Sequence, residues 1–328
     1  MVGFGGGGDG AQNAVVLKPG SASNLPAELY ASRVAAAVGL PVPAARIPTM
    51  DEHIVINRSL APARLYQNIE DKNVLLYRYN KGQKEWLLQE YVPGTKMYAE
   101  AAIRGNPALV LQQIGVVAAV DCVLNNWDRV PVAHNNEGNI ENWIIEATTG
   151  TGGAGEGAGA GAGECAGGSG SVAAAAVAAP ASAAAPSPSL SPSPSIKVVA
   201  IDQMVSPIKV EAGRIKYLER LRAVGDEIKS GIPGAACAAV AKHLEQQAAI
   251  AVPEAVLPQL LEGLAEGVRL LQALPAGTYE TLQREVTAEF QATHGNWARV
   301  ADALSAIDPA FIQACSDAVC NGNAGGGA

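Results

Sequence analysis

No stretch of this sequence gathers lysine and arginine into a run. The chain as a whole is acidic, with 23 basic against 31 acidic residues and a formal charge of -8. Such a chain has no polyelectrolyte footprint, which argues against nucleic acid or an anionic membrane surface as its main partner. Cysteine is also thin: Cys122, Cys165, Cys237, Cys315 and Cys320 make an odd number with no Cys-x-x-Cys spacing. That does not read as a disulfide framework, and no secretory signal segment is read ahead of the first strand, so a reduced, cytoplasmic setting is expected. No apolar run is read as approaching the roughly 20 residues that cross a bilayer, so no membrane span is expected. Small-molecule and protein substrates remain.

What is present can build a core. The 328 residues are 48% hydrophobic, enough for one large domain or two lobes. Part of that count is alanine in a tract from about 147 to 195, where the chain reduces to Gly, Ala, Ser and Pro. Side chains that small cannot offset chain entropy, so the tract is expected to be a disordered insert. Its flanks, Asn142-Trp143-Ile144-Ile145-Glu146 and Lys197-Val198-Val199-Ala200-Ile201-Asp202, read as two antiparallel strands with an expanded hairpin loop. Loop length costs free energy only logarithmically, so the pairing survives the insertion. Asn142 and Asp202 then fall at one end of the hairpin, where both are candidate metal ligands.

Upstream of that hairpin lies the densest polar loop of the chain, Asn125-Asn126-Trp127-Asp128-Arg129-Val130-Pro131, followed by Gly138-Asn139. It is delivered by an expected helix from Pro107 to Leu124, apolar nearly all round and therefore internal. Polar loops held between buried elements commonly carry chemistry. An Asp-Arg pair, then an Asn at the start of a hydrophobic strand, suits phosphoryl transfer: a carboxylate for the acceptor hydroxyl and an amide oxygen for a metal. Asp121, one turn inside the helix, reads as a carboxylate that either supports the site residues from behind or is structural. His134 reads as a solvated loop residue, since no second His or Cys nearby suggests zinc.

The N-terminal part supplies the other half of such a site. Ala14-Val15-Val16-Leu17-Lys18 reads as a strand, preceded by glycines that form either a phosphate-approaching turn or a loose terminus. A helix from Asn24 to Gly39 is well marked, with Asn24 as cap, Pro26 in the first turn and Gly39 as stop. Its Glu28, flanked by small residues, is placed to reach Lys18. Residues 52–56, 73–79 and 85–92 are read as further strands, the last stopping at Pro93-Gly94. Downstream of the insert the pattern is helical, with Leu257, Leu261, Leu264, Val268 and Leu271 as a core stripe and a break at 276–278.

In this order, Val15-Val16-Leu17-Lys18, Ala27-Glu28-Leu29-Tyr30-Ala31-Ser32, Leu88-Gln89-Glu90-Tyr91-Val92-Pro93-Gly94, Asp121 to Arg129 with Pro131, Gly138-Asn139 with Asn142, and Ala200-Ile201-Asp202 resemble the catalytic domain of the actin-fragmin kinase family. These are atypical protein kinases whose core is similar to eukaryotic protein kinases and phosphoinositide kinases. The resemblance implies an α+β, two-lobed protein-kinase-like fold: a small antiparallel-sheet lobe with hinge over residues 1–94, and a larger, mainly helical lobe over 95–328, interrupted by the insert. With 17 residues ahead of Lys18, the first strand and glycine loop are expected to be shortened. The resemblance further implies that Lys18 contacts the phosphates of ATP and is held by Glu28. Glu90, Tyr91 and Val92 form the adenine hinge, Asp128 serves the acceptor hydroxyl, and Arg129 is structural. Asn142 and Asp202 hold Mg²⁺, with Asn139 as the substitute for the amide ligand. The expected activity is ATP- and Mg²⁺-dependent transfer to a protein Ser/Thr hydroxyl by a monomer, with actin or an actin-associated protein as substrate by resemblance alone. The alternatives are a pseudokinase that binds nucleotide or partners without transfer, and a lipid or small-molecule kinase.

Overall fold

The structure is a computed structural model that describes residues 2–3, 14–21, 24–60, 85–96, 105–133, 138–148, 195–293 and 297–323. Met1–Ala147 together with Ile196–Ala328 form one compact unit, and Thr148–Ser195 form a second. The glycine run at 5–8, the strand expected at 73–79, His134 and nearly all of the insert lie outside the described residues.

The elements in chain order are β1 (Val2–Gly3), β2 (Ala14–Gly20), α1 (Leu25–Val38), β3 (Ala45–Arg46), α2 (Met50–Leu60), β4 (Glu85–Glu90), β5 (Thr95–Lys96), α3 (Pro107–Leu124), β6 (Trp143–Thr148), β7 (Ser195–Ala200), α4 (Glu211–Ser230), α5 (Ala235–Ala248), α6 (Leu257–Gln272), α7 (Thr278–Thr293), α8 (Trp297–Ser305) and α9 (Pro309–Asn321). They form two small sheets, ordered β1-β2-β4-β3 and β5-β6-β7, and a body of helices. This is the mixed α+β class expected of a kinase-like two-lobed fold.

In the first sheet β2 runs antiparallel to β4 with Lys18 opposite Leu87, and β3 covers the other edge of β4 with Arg46 opposite Leu88. The chain leaves this sheet after Glu90 and enters the second at Thr95, opposite Ile145. A Cβ on Gly94, between the two, would lie 2.4 Å from Ile144 Cγ2 and 2.8 Å from the Ile145 carbonyl oxygen, so only glycine passes there.

Helix α1 buries Leu25, Leu29, Tyr30 and Val34, and its far side is pinned to α7. Tyr30 Oη donates to the Tyr279 carbonyl at 3.3 Å, and Arg33 pairs with Glu289 at 3.1 Å. Gly39 ends the helix at φ 86°, as expected. Asn24 does not cap it through its side chain. The residue sits in helical backbone geometry, and its N–H donates to the Ser21 carbonyl and hydroxyl.

The strand expected at 52–56 is instead part of α2. The reason is local: Thr49 and Glu52 form a reciprocal cap, with Glu52 N–H donating to Thr49 Oγ1 at 3.3 Å and Thr49 N–H donating to Glu52 Oε2 at 2.8 Å. Such a Thr-x-x-Glu box starts a helix and outweighs the β-branched run that follows it. Of that run only Ile56 is buried; Ile54 and Val55 face outward.

Helix α3 has the bounds that its sequence implies. Asn106 Oδ1 caps it by accepting from Leu109 N–H at 3.2 Å, and Asn125 stops it in the left-handed region at φ 54°. At 18 residues it is long and apolar enough to cross a membrane, which corrects the expectation that no run comes near that length; 67% of it is buried inside the fold, as in a core helix. Its closest neighbour is α6. A Cβ on Gly263 would lie 1.9 Å from the Gln112 carbonyl oxygen, and one on Gly115 would lie 2.3 Å from that of Leu260. The two backbones therefore touch, and neither glycine has room for a side chain.

Helix α3 also fixes β7. Gln113 Nε2 donates to the Ile196 carbonyl at 2.8 Å, and its Oε1 accepts from Val198 N–H at 2.7 Å. The open edge of the β5-β6-β7 sheet is thereby paired with a helix side chain. The strand that leads to Asp202 is thus held at a fixed height against the core.

Candidate functional site

Two polar clusters meet where α3 and β7 end and β6 begins. The first is buried. Arg129 is fully enclosed, and its Nη1 donates to Asp121 Oδ1 at 2.5 Å while its Nη2 donates to the Ile201 carbonyl at 2.7 Å. The guanidinium lies 5.4 Å from the ring centre of buried Trp143, and Asn126 Nδ2 donates to the same Asp121 oxygen at 3.0 Å. Burial pushes the Asp121 carboxyl above its ordinary pKa against the opposing pull of Arg129. One arginine thus ties the end of α3 to the residue that precedes Asp202, as a buried, hydrogen-bonded ion pair does when it fixes a backbone.

The loop from 125 to 142 is drawn in around this clamp. Asn125 Nδ2 donates to the Ser206 carbonyl. Gly138, at φ 61°, lies where a Cβ would be 2.7 Å from His243 Cε1 and 2.9 Å from the Arg129 carbonyl oxygen. Both the positive φ and the contact require glycine. His243 is thus buried beneath this loop.

On that platform sits Asp128, half-buried. Asn142 is buried, and its Nδ2 donates to the Asp128 carbonyl at 2.9 Å and to Asp128 Oδ2 at 3.3 Å. Among the described residues its Oδ1 receives only a long contact of 3.4 Å from Asn139 Nδ2. The Asn142 carbonyl accepts from Ile201 N–H at 3.0 Å, so Asn142 is bonded to the residue that precedes Asp202, and the two fall near one end of the hairpin.

The second cluster is more open. Lys18 Nζ bonds Glu28 Oε1 and lies 2.5 Å from Asp202 Oδ1; the side chains of Lys18, Glu28 and Asp202 are 22%, 12% and 41% exposed. Burial of the ammonium opposes its charge, but the Glu28 and Asp202 carboxylates outweigh that, and the Lys18 pKa rises above its ordinary value. Burial raises the Glu28 pKa, Lys18 opposes the rise, and the Asp202 charge adds to it. Asp202 is a non-glycine residue at φ 56°. A left-handed backbone at a site residue is uncommon and costs strain, which the Arg129–Ile201 and Asn142–Ile201 bonds on its preceding residue help to hold.

Every candidate site residue lies within the described residues. Lys18, Glu28 and Asp202 are brought into direct contact, and so are Asp128, Asn142 and Asn139. At the expected hinge, Glu90 N–H donates to the Ala44 carbonyl at 2.8 Å and its carboxylate accepts from Ala44 N–H at 3.2 Å. Glu90 thus spends its own N–H on Ala44, just ahead of β3, while Tyr91 is 38% exposed and Val92 half-buried. Among the described residues no three His, Cys, Asp or Glu gather to hold a metal by themselves. One amide oxygen and one half-open carboxylate fit Mg²⁺ only as it binds beside nucleotides, where phosphate and water complete the shell.

The comparisons bear on the first part of the chain. No curated protein matches the sequence. Residues 6–154 match the family model described as "Actin-fragmin kinase, catalytic", a stretch that includes Lys18, Glu28, Asp128 and Asn142 and ends ahead of Asp202. Over that stretch, a little under half of its length, the chain is similar to the actin-fragmin kinase catalytic domain, which implies an atypical protein kinase.

Proposed function

We propose that the protein transfers the γ-phosphoryl group of ATP to a Ser or Thr hydroxyl of a protein substrate. The observation that carries this reading is the contact of Lys18 with both Glu28 and Asp202, residues up to 184 positions apart. Three charged groups from β2, α1 and the end of β7 are held together in a half-open site, beside Asp128 and Asn142. In a phosphoryl transfer of this kind the acceptor oxygen bonds to the γ-phosphorus and the bond from phosphorus to the β–γ bridging oxygen breaks. ADP leaves, and the hydroxyl proton passes to a positioned carboxylate. Asp128 is that carboxylate, oriented by the Asn142 amide. Lys18 neutralises phosphate charge, and Glu28 keeps its ammonium in place. Asn142 Oδ1 and Asp202 would hold Mg²⁺, which supplies charge neutralisation at the phosphates.

A second reading is a nucleotide-binding module without transfer. It is favoured by the Lys18–Asp202 ion pair, which closes the metal carboxylate onto the lysine. Thermal-shift titration with ATP, with and without Mg²⁺, tests the shared part of both readings. The parent should be stabilised by ATP more strongly when Mg²⁺ is present, and Asp202→Ala should lose that Mg²⁺-dependent increment. A parent with no shift at saturating ATP–Mg²⁺ contradicts both.

A further inference from the structure

Beside the site lies a cavity of about 580 Å³ whose walls come from the segments next to three of the site residues. Ser21 and Asn24 follow Lys18 on the way into α1. Trp127 precedes Asp128. Met204, Val205 and Pro207 follow Asp202. The fourth wall is α8 and the turn after it, which give the cavity Arg299, Asp302, Ala303 and Ala306 at helical spacing and give the core Val300, Leu304 and Ile307. Helix α8 thus uses one face for packing and the other for the cavity.

The lining is specific in kind. Trp127 is 45% exposed although it neighbours the most polar part of the chain, and with Met204, Val205, Pro207 and three alanines it makes an apolar floor. Lys209 and Arg299 are exposed at the cavity, against one acid, Asp302. Among the described residues no ion pair joins either cation to an acid. In a protein of net charge -8, this is a local positive excess beside the proposed transfer site.

We infer that this cavity is the acceptor-side specificity pocket: it takes the segment of a protein substrate that flanks the phosphorylated Ser or Thr, seating an apolar side chain on Trp127 and an acidic one against Lys209 and Arg299. The inference rests on the kinase reading of the adjacent site. A concave, largely apolar cavity with a few charged groups is the form of a recognition site. An aromatic floor with complementary charges at its edge selects a partner by favourable contacts and by repelling the wrong sign.

The test is transfer of γ-phosphate to a Ser/Thr peptide library varied at the flanking positions, with peptide-free ATP hydrolysis measured beside it. The parent should favour peptides with an apolar and an acidic flanking residue. Arg299→Glu, an exposed change, should lower kcat/KM on the acidic peptides about tenfold and raise it on matched basic peptides, with hydrolysis unchanged. Ala303→Trp, which fills the cavity, should depress all long peptides while leaving hydrolysis intact. Equal loss on every peptide with Arg299→Glu, or no flanking preference in the parent, overturns the pocket and leaves the kinase reading standing. A parent that neither hydrolyses ATP nor transfers phosphate overturns the kinase reading, and the pocket with it.

Discussion

The two charge clusters of this protein each pair one cation with carboxylate, but with different access to water. Asp121 and Arg129 are sealed, with side chains 3% and 0% exposed, and their ion pair is tied into the backbone at Ile201. Lys18, Glu28 and Asp202 stand half open, each with some access to water, and their carboxylates serve a cation that a phosphate could claim instead. A charge with no solvent to fall back on can only hold structure, because any exchange of partner leaves it buried and unpaired. A charge at the edge of a cleft can exchange partners. The difference suits the first cluster to holding the fold and the second, on the function we propose, to the chemistry.

The largest way to break that comparison is to cut the sealed pair. Arg129→Met leaves Asp121 buried without its cation and should cost about 3–5 kcal/mol of stability, read as a shift in urea midpoint. Asp121→Asn with Arg129→Met should cost less than the sum of the two, because the uncompensated charge is gone. Free additivity would mean that the two groups act separately.

Cutting the open cluster should leave the fold standing and affect nucleotide use. Lys18→Ala and Glu28→Ala should each weaken ATP use by a similar factor, and the double variant should be little worse than either, since residues that act as a unit are non-additive. Independent losses would reduce Glu28 to a carboxylate favoured at a helix start.

The smallest effect lies far from both clusters. Glu52 has its pKa lowered from 4.5 to about 2, first by Arg46 and then, against some burial, by Thr49. Because the unfolded state takes up the proton first, this cap contributes fully above the ordinary value and its contribution is lost as pH falls toward 2. With the Glu52 side chain 39% exposed, the effect is small and screened by salt. Helix α2 should loosen between pH 5 and pH 2.5 in an amide-exchange measurement, and Glu52→Gln should flatten that dependence.

What could be read in the sequence followed from local rules. The bounds of α3 are written in Pro107 and Asn125, and the stop of α1 is written in Gly39. The Asn142–Asp202 neighbourhood follows from two strand-forming stretches on either side of a tract whose side chains are too small for a core. Residues 52–56 carry β-branched side chains that favour a strand, but the Thr49–Glu52 cap, also present in the sequence, decides for a helix. Other features have no local signal. Gln113 looks like one polar residue on a core helix, yet it pairs with the edge of β7 from 83 and 85 positions away. His243 under Gly138, and the α8 wall of the cavity, depend on tertiary packing that no window of sequence contains.

The central claim, that the open cluster with Asp128 performs phosphoryl transfer on the platform of the sealed one, is tested most directly by γ-phosphate transfer from ATP to protein substrates by the parent and by Asp128→Asn, with ATP–Mg²⁺ affinity and urea midpoint measured on both. The parent should transfer, and Asp128→Asn should bind and fold like the parent but transfer slower by ~10²-fold or more. Equal transfer by Asp128→Asn, or a parent that binds ATP–Mg²⁺ and transfers to no hydroxyl, would contradict it.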